Sequence, residues 1–187
     1  MKKVLLTVLA LAFVAACGEQ RPAPEPVRQQ GTVTETDVMF AQMTLAHIAQ
    51  GSVVTGLIKS RAGSKELKGV AADLDKQWVA EKGALTSWLM EWKRPLAPDP
   101  DPSAHAGHGD LHALRPADVA ELKKAKGADF DRTAGSVLTG LLHSGIETAR
   151  LEAGSGGYPP AISLAATMTT HHQAQVRQLL NLAAGEA

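Results

Sequence analysis

Apolar side chains recur every three to four residues through four long stretches of the chain, a spacing that predicts amphipathic helices. Thr36 or Asp37 is expected to cap the first of them, and Pro95 follows the second, where a proline ends a helix. A short extra helix is predicted at residues 116–126, with Pro116 in its first turn. The four long predicted helices cover residues 36–60, 65–92, 128–153 and 161–183.

Four long helices in two hairpins are typical of a four-helix bundle. Aromatic residues make up only 4% of the chain, and alanine and leucine are abundant, which favours helices over a β-sandwich. We therefore predict an all-α domain at residues 36–185, with hairpins at about residues 36–93 and 128–184 and the short extra helix in the connection between them.

The N-terminus has the pattern of an export signal. Lys2 and Lys3 precede an apolar stretch that is too short to span a bilayer comfortably. The residues before Cys17, Val-Ala-Ala, resemble the lipobox of bacterial lipoproteins. This resemblance implies that residues 1–16 are a signal peptide and that lipid on Cys17 anchors the protein to the extracytoplasmic side of a bacterial membrane. Residues 17–35 contain several prolines without periodicity and are predicted to form a flexible tether.

Cysteine usage and charge exclude several classes of function. Because Cys17 is the only cysteine, the exported domain has no disulfide, no thiolate metal site and no cysteine nucleophile. Removal of Lys2 and Lys3 leaves 17 Lys and Arg against 19 Asp and Glu, and this slight acidity argues against nucleic acid as a partner. The chain also lacks the Glu-x-x-His, His-Glu-x-x-His and Gly-x-Ser-x-Gly motifs and a glycine-rich phosphate loop, so no enzyme reaction is predicted.

The segment between the two hairpins, residues 95–115, is rich in histidine. His105, His108 and His112 supply three imidazoles within eight residues, and such a segment could wrap a zinc, copper or nickel ion. The alternative is a solvated linker without a bound ion.

The two predicted hairpins also open alike, with Asp37 and Asp131 at corresponding positions. Four stretches carry a resemblance to a known family: Asp37-x-x-Phe40-Ala41-Gln42-Met43-x-x-x-His47, Glu81 with Trp88-Leu89-Met90-Glu91-Trp92, Gly127-Ala128-x-Phe130-Asp131-Arg132, and Gly145-Ile146-Glu147-x-Ala149. Through these stretches the chain resembles the family called domain of unknown function 305 over about residues 37–182. That resemblance implies a ferritin-like bundle of two related hairpins.

The resemblance further implies transition-metal binding, with copper as the expected ion. Members of the family carry methionines followed by a His-His pair on the first helix of each hairpin. Here Ile48 replaces the second histidine of the first pair, and His143 lies one position out of register in the second half. The positions expected to carry the other ligands of the second half hold Val137, Leu138, Leu141 and Leu142.

Two pairs of candidate ligands remain in the predicted core. Met43 and His47, and likewise Met168 and His172, are four residues apart and share a helix face. His171 points about 100 degrees away from His172, so at most one of them faces the core. The alternative for all four residues is ordinary core packing.

The sequence therefore leads to two hypotheses. The first is a non-catalytic, lipid-anchored helical bundle of the cell envelope that binds or buffers a transition metal, copper above all. The second is a metal-free structural or protein-interaction module that has lost the metal site of its family.

Overall fold

The computed structural model describes residues 31–99 and 114–185, and within these ranges all regular structure is helical. This arrangement confirms the predicted all-α fold of two hairpins with a short helix in the connection. The helices are α1 (Glu35–Arg61), α2 (Lys65–Glu91), α3 (Pro116–Lys124), α4 (Gly127–Ser155) and α5 (Pro159–Ala184).

The N-cap of the first helix lies two or three residues earlier than the sequence predicts. Thr34 is the N-cap, and Asp37 occupies the third helical position of a capping box. The side chain of Asp37 accepts a hydrogen bond from Thr34 N at 2.6 Å, and Asp37 N donates to Thr34 Oγ1 at 3.4 Å. The expectation that Thr36 or Asp37 caps this helix is therefore wrong, because both belong to its first turn.

A short loop joins the two helices of each hairpin, which are antiparallel. The hairpins pack with α1 against α4 and α2 against α5. At one end of α1, Asp37 contacts the loop before α5. At the other end, Gly63 contacts Asp131 near the start of α4. Since α1 and α5 are both antiparallel to α4, they run in the same direction. The largest fully buried side chains of the shared core include Phe40, Ile58, Leu74, Leu85, Leu89, Phe130, Leu138, Leu142 and Met168.

The short helix α3 is fastened to the end of α1 by Arg61. Its guanidinium donates hydrogen bonds to the carbonyls of Lys123 at 3.2 Å and Ala125 at 2.6 Å, which are among the carbonyls left without a helical partner. The same guanidinium lies 4.4 Å from the centre of the Phe130 ring, within range of a cation–π interaction. Arg61 thereby connects α3 to both hairpins.

The two hairpins are approximate copies of one another. Gly51 of α1 lies beneath Trp78 of α2, and Gly145 of α4 lies beneath His172 of α5. Gly51 and Gly145 are separated by the same number of residues as Trp78 and His172. Asp37 and Asp131 have this separation too. His172 therefore occupies the position in the second hairpin that an indole occupies in the first.

Candidate metal centre

His172 is the central residue of the candidate site. Its side chain is only 3% exposed, and neither ring nitrogen has a hydrogen-bond partner in the described part of the chain. Burial, followed by the nearby charges of His47 and His171, lowers the pKa of His172 to about 4. The imidazole is therefore neutral at physiological pH and keeps a lone pair that could bind a metal ion.

His47 approaches the same turn of α4 from helix α1. Its Nε2 lies 2.8 Å from Ser144 Oγ in a hydrogen bond, and the ring of His172 packs on the adjacent Gly145. An added Cβ at Gly145 would lie only 3.1 Å from His172 Nδ1. The structure thus brings together the two predicted imidazoles, one from each hairpin.

The two predicted methionines lie one helical turn away from the imidazoles. Met43 precedes His47 by four residues and Met168 precedes His172 by four, and α1 and α5 run in the same direction. Both thioethers are therefore displaced from the imidazoles toward the same end of the bundle. Met168 is buried and Met43 is half-buried.

The donor set suits a soft ion better than a hard one. Across residues 31–99 and 114–185, no three His, Cys, Asp or Glu side chains lie close enough together to hold a metal ion. Zinc sites usually need three or four such ligands. Two imidazoles with thioethers in the adjacent layer instead match the preference of Cu(I). A ring nitrogen of His172, which has no hydrogen-bond partner among the described residues, could coordinate such an ion.

Several other candidate residues do not join this centre. His143 and His171 are exposed on the outside of the bundle. Cys17 and the linker histidines His105, His108 and His112 lie outside the described residues, so the proposed lipidation and the linker site stay predictions.

Glu81 is a buried polar residue that no sequence motif singles out. It is 5% exposed, its Oε2 has no hydrogen-bond partner among the described residues, and burial raises its pKa to about 7. The signal was its position: Glu81 falls in the buried stripe of α2, three residues after Trp78 and four before Leu85.

A second buried carboxyl, Glu152, lies at the end of the bundle beside Asp37. Neither oxygen of Glu152 accepts a hydrogen bond from an N–H or hydroxyl group of the described residues. Burial, then a hydrogen bond to Asp37 and the charge of Asp37, raise the pKa of Glu152 to about 8. Glu152 is therefore protonated at neutral pH and lies beside the Asp37 carboxylate as a neutral acid.

The fold and this centre define a helical bundle of two related hairpins with a histidine layer in its core. The family model named Domain of unknown function (DUF305) matches residues 37–183, and the chain belongs to this family. A comparison with functionally curated proteins finds no significant match.

Solved structures of related proteins have the same fold. A DUF305 protein from Streptomyces coelicolor, provisionally described as secreted, is 19% identical and superposes with a TM-score of 0.74, covering 81% of this chain and 93% of that one. A DUF305 fragment from Deinococcus radiodurans is 16% identical, with a TM-score of 0.70 and coverage of 80% and 96%. CopM in its Cu(II)-bound form is 19% identical, with a TM-score of 0.65 and coverage of 78% and 94%.

Proposed function

We propose that this protein binds a soft transition-metal ion, copper(I) above all, in the core of its bundle and acts as a non-catalytic metal carrier or buffer of the cell envelope. The observation that carries the proposal is the pair of imidazoles from the two hairpins, in which both ring nitrogens of His172 are buried without a partner among the described residues. In this proposal His47 and His172 are the principal ligands, and Met43 and Met168 supply thioethers from the adjacent layer.

Related structures support the choice of ion. CopM has been solved in Cu(I)-bound and Cu(II)-bound forms and in silver-bound forms. Silver(I) has the charge and softness of copper(I), which makes it a redox-inert probe for the same donor set. The proposal transfers this preference to the imidazole and thioether groups of the present chain.

The cellular location belongs to the same proposal. Lipid on Cys17, after removal of residues 1–16, would hold the bundle at a bacterial membrane, with the residues between Cys17 and the described domain as a tether. In the described part of the chain no helix has the length and apolar character needed to cross a bilayer. The histidines of residues 95–115 would offer the ion a second, more accessible position.

The competing function is a metal-free interaction module. The observation that favours it is Leu141, which stands at the position in α4 that corresponds to His47 in α1 and cannot bind a metal. The second hairpin contributes its imidazole from α5 instead, through His172. The two functions therefore differ on whether His172 is a ligand or a poorly satisfied core residue.

A metal titration separates these possibilities. We would titrate untagged protein that starts at residue 18 with Ag(I), Cu(I), Cu(II) and Zn(II) against competing chelators, since the thiol of Cys17 would itself bind Cu(I). His172→Leu removes two buried polar atoms that have no partner in the described part of the chain, and it keeps an apolar volume. It should therefore stabilise the fold while abolishing core binding of Ag(I).

The controls assign each binding step. His143→Ala, a change of an exposed histidine on α4, should leave core binding unchanged. The triple change of His105, His108 and His112 to alanine should remove only a linker step. If His172→Leu stabilises the protein but Ag(I) binds as tightly as before, the core site is wrong. If the unaltered protein binds no metal more tightly than a generic exposed histidine does, the interaction module is the better function.

A further inference from the structure

We propose that Glu81 is the counter-charge of the core ion, a positioning residue that acts on the ion from the facing helix α2. This inference rests on the proposed function and adds to it the residue that neutralises the ion's charge. It identifies a carboxylate, in addition to imidazole and thioether groups, as part of the centre.

The packing of α2 against α5 places Glu81 at the level of His172. Gln175 Nε2 donates a hydrogen bond to Gln77 Oε1 at 3.1 Å, which fixes the register of the two helices. The helices are antiparallel, because the rings of Trp92 and Tyr158 meet at the far end with centroids 5.3 Å apart. One turn forward from Gln77 along α2 is Glu81, and one turn back from Gln175 along α5 is the turn that contains His172.

Unpaired polar atoms are concentrated at this level. In the described ranges, the buried side-chain atoms without a hydrogen-bond partner belong to four residues, of which Glu81 is on α2 and His172 and Gln175 are on α5. When Glu81 is ionised, Glu81 Oε2 and Gln175 Oε1 are both acceptors, and neutral His172 provides one further acceptor nitrogen. A buried layer with more acceptors than donors is satisfied by a cation, with or without water.

The distribution of buried charge selects Glu81 for this role. An ion in the core without a nearby anion would be an uncompensated buried charge, which is strongly disfavoured. The buried acids of the described residues are Asp37, Glu81 and Glu152. Asp37 and Glu152 lie beside each other at the end of the bundle, which leaves Glu81 for the histidine layer.

Glu81 is assigned as a counter-charge and not as a direct ligand. No three metal-binding side chains of the His, Cys, Asp and Glu types converge in the ranges that the structure describes. A carboxylate on the facing helix can still act through space or through one water, as the outer groups of metal sites do. Its effect should then grow with the charge of the ion.

The test compares two buried carboxyls in the protein that starts at residue 18. Glu81→Gln removes the charge and keeps the shape, and Glu152→Gln does the same at the other end of the bundle as a matched control. Affinities are measured with Ag(I) and with Cu(II) as probes, by competition with chelators. We expect Glu81→Gln to weaken Ag(I) binding about tenfold and Cu(II) binding more strongly, because the Coulomb attraction scales with charge. Glu152→Gln should change neither the Ag(I) affinity nor the Cu(II) affinity by more than about twofold.

Each other outcome overturns a defined claim. Equal loss in Glu81→Gln and Glu152→Gln, or equal loss for the two ions, would show a general structural effect and reject the counter-charge. Unchanged affinity in Glu81→Gln, with binding lost in His172→Leu, would reject Glu81 and retain the proposed function. Absence of binding by the unaltered protein would reject both. Glu81→Asp, which keeps the charge, should recover part of the lost Cu(II) affinity if the inference is correct.

Discussion

Asp37 and Asp131 make the same contact in opposite directions between the two hairpins. The carboxylate of Asp37, near the start of α1, accepts hydrogen bonds from Gly157 N at 3.1 Å and Tyr158 N at 2.8 Å in the loop before α5. The carboxylate of Asp131, near the start of α4, accepts from Gly63 N at 3.1 Å and Ser64 N at 2.8 Å in the loop before α2. Each hairpin therefore accepts hydrogen bonds from backbone N–H groups of the other. These bonds fix how the hairpins dock and hence where His47 and His172 meet.

The two aspartates should differ in their contribution to stability. Asp37 is fully buried and also accepts hydrogen bonds from Thr34 N and Thr34 Oγ1, both at 2.6 Å, and these bonds help to lower its pKa. Asp131 is only partly buried. We expect Asp37→Asn to lower the free energy of unfolding by about 3 kcal/mol and Asp131→Asn by about 1 kcal/mol. Urea denaturation measures both, and a larger loss in Asp131→Asn would contradict the role given to the capping box.

Alanine at the two corresponding glycines should have unequal effects. A Cβ at Gly51 would lie 2.3 Å from the Trp78 ring, whereas a Cβ at Gly145 would lie 3.1 Å from the nearest atom of His172. Gly51→Ala should therefore destabilise the fold by about 2 kcal/mol through overpacking. In Gly145→Ala the helix-propensity gain of about 1 kcal/mol offsets a milder clash, so its stability should change little.

Thermal denaturation of the two glycine variants gives the comparison directly. Similar losses of stability in the two variants would mean that His172 is packed as tightly as Trp78. Such packing would leave no room for an ion beside the imidazole ring. The Gly145→Ala variant has a second use, because its Cβ presses on His172 Nδ1 and should weaken Ag(I) binding without unfolding the protein.

Much of the fold follows from periodicity, and much of the site does not. The apolar spacing locates the long helices, because each must bury one face. Thr34, Thr36 and Asp37 are all residue types that cap helices and lie close together in the sequence, and only the hydrogen bonds distinguish them. The repeat is visible in the sequence at Asp37 and Asp131, because both halves have the same residue type at this position.

The partners of the centre depend on packing between distant segments. Trp78 and His172 correspond in the repeat, yet their different chemistry concealed the relation in the sequence. Glu81 interrupts an apolar stripe, and a sequence does not show whether such a residue is buried until α5 is packed over it. The pairing of His47 with Ser144 likewise needs the docking of α1 on α4. These contacts come from tertiary structure, which local spacing does not encode.

The buried acid Glu152 should make stability depend on pH in a defined direction. Its pKa is raised from an ordinary 4.5 to about 8 in the folded state. Between these values the folded state binds more protons than the unfolded state, so stability is greatest at low pH and falls as pH rises toward 8. Glu152→Gln carries no titrating group and should gain on the order of 3 kcal/mol relative to the unaltered protein between pH 5 and pH 8.

The comparison between Glu152→Gln and the unaltered protein isolates this group. Glu81 shifts stability in the same direction, since its pKa is also raised. His172 acts oppositely, because its lowered pKa makes stability rise with pH up to about 6.5. Both remain in the variant, so the difference between the two unfolding curves at each pH reports Glu152 alone. A difference that stays constant from pH 5 to pH 8 would show that Glu152 titrates normally.

The thioether layer can be tested separately from the imidazoles, because leucine replaces methionine with little change of volume. Met43→Leu with Met168→Leu should cost less than about 1.5 kcal/mol of stability in total, while removing both soft donors. If these thioethers assist the imidazoles, Ag(I) affinity should fall about tenfold or more and Zn(II) affinity should stay the same, since zinc has little preference for thioether sulfur. Met90→Leu, on the exposed surface of α2, is the matched control and should change neither. Equal Ag(I) affinity in the double variant and the control would restrict the centre to His47 and His172, and Met168 would then be a residue of the packed core alone.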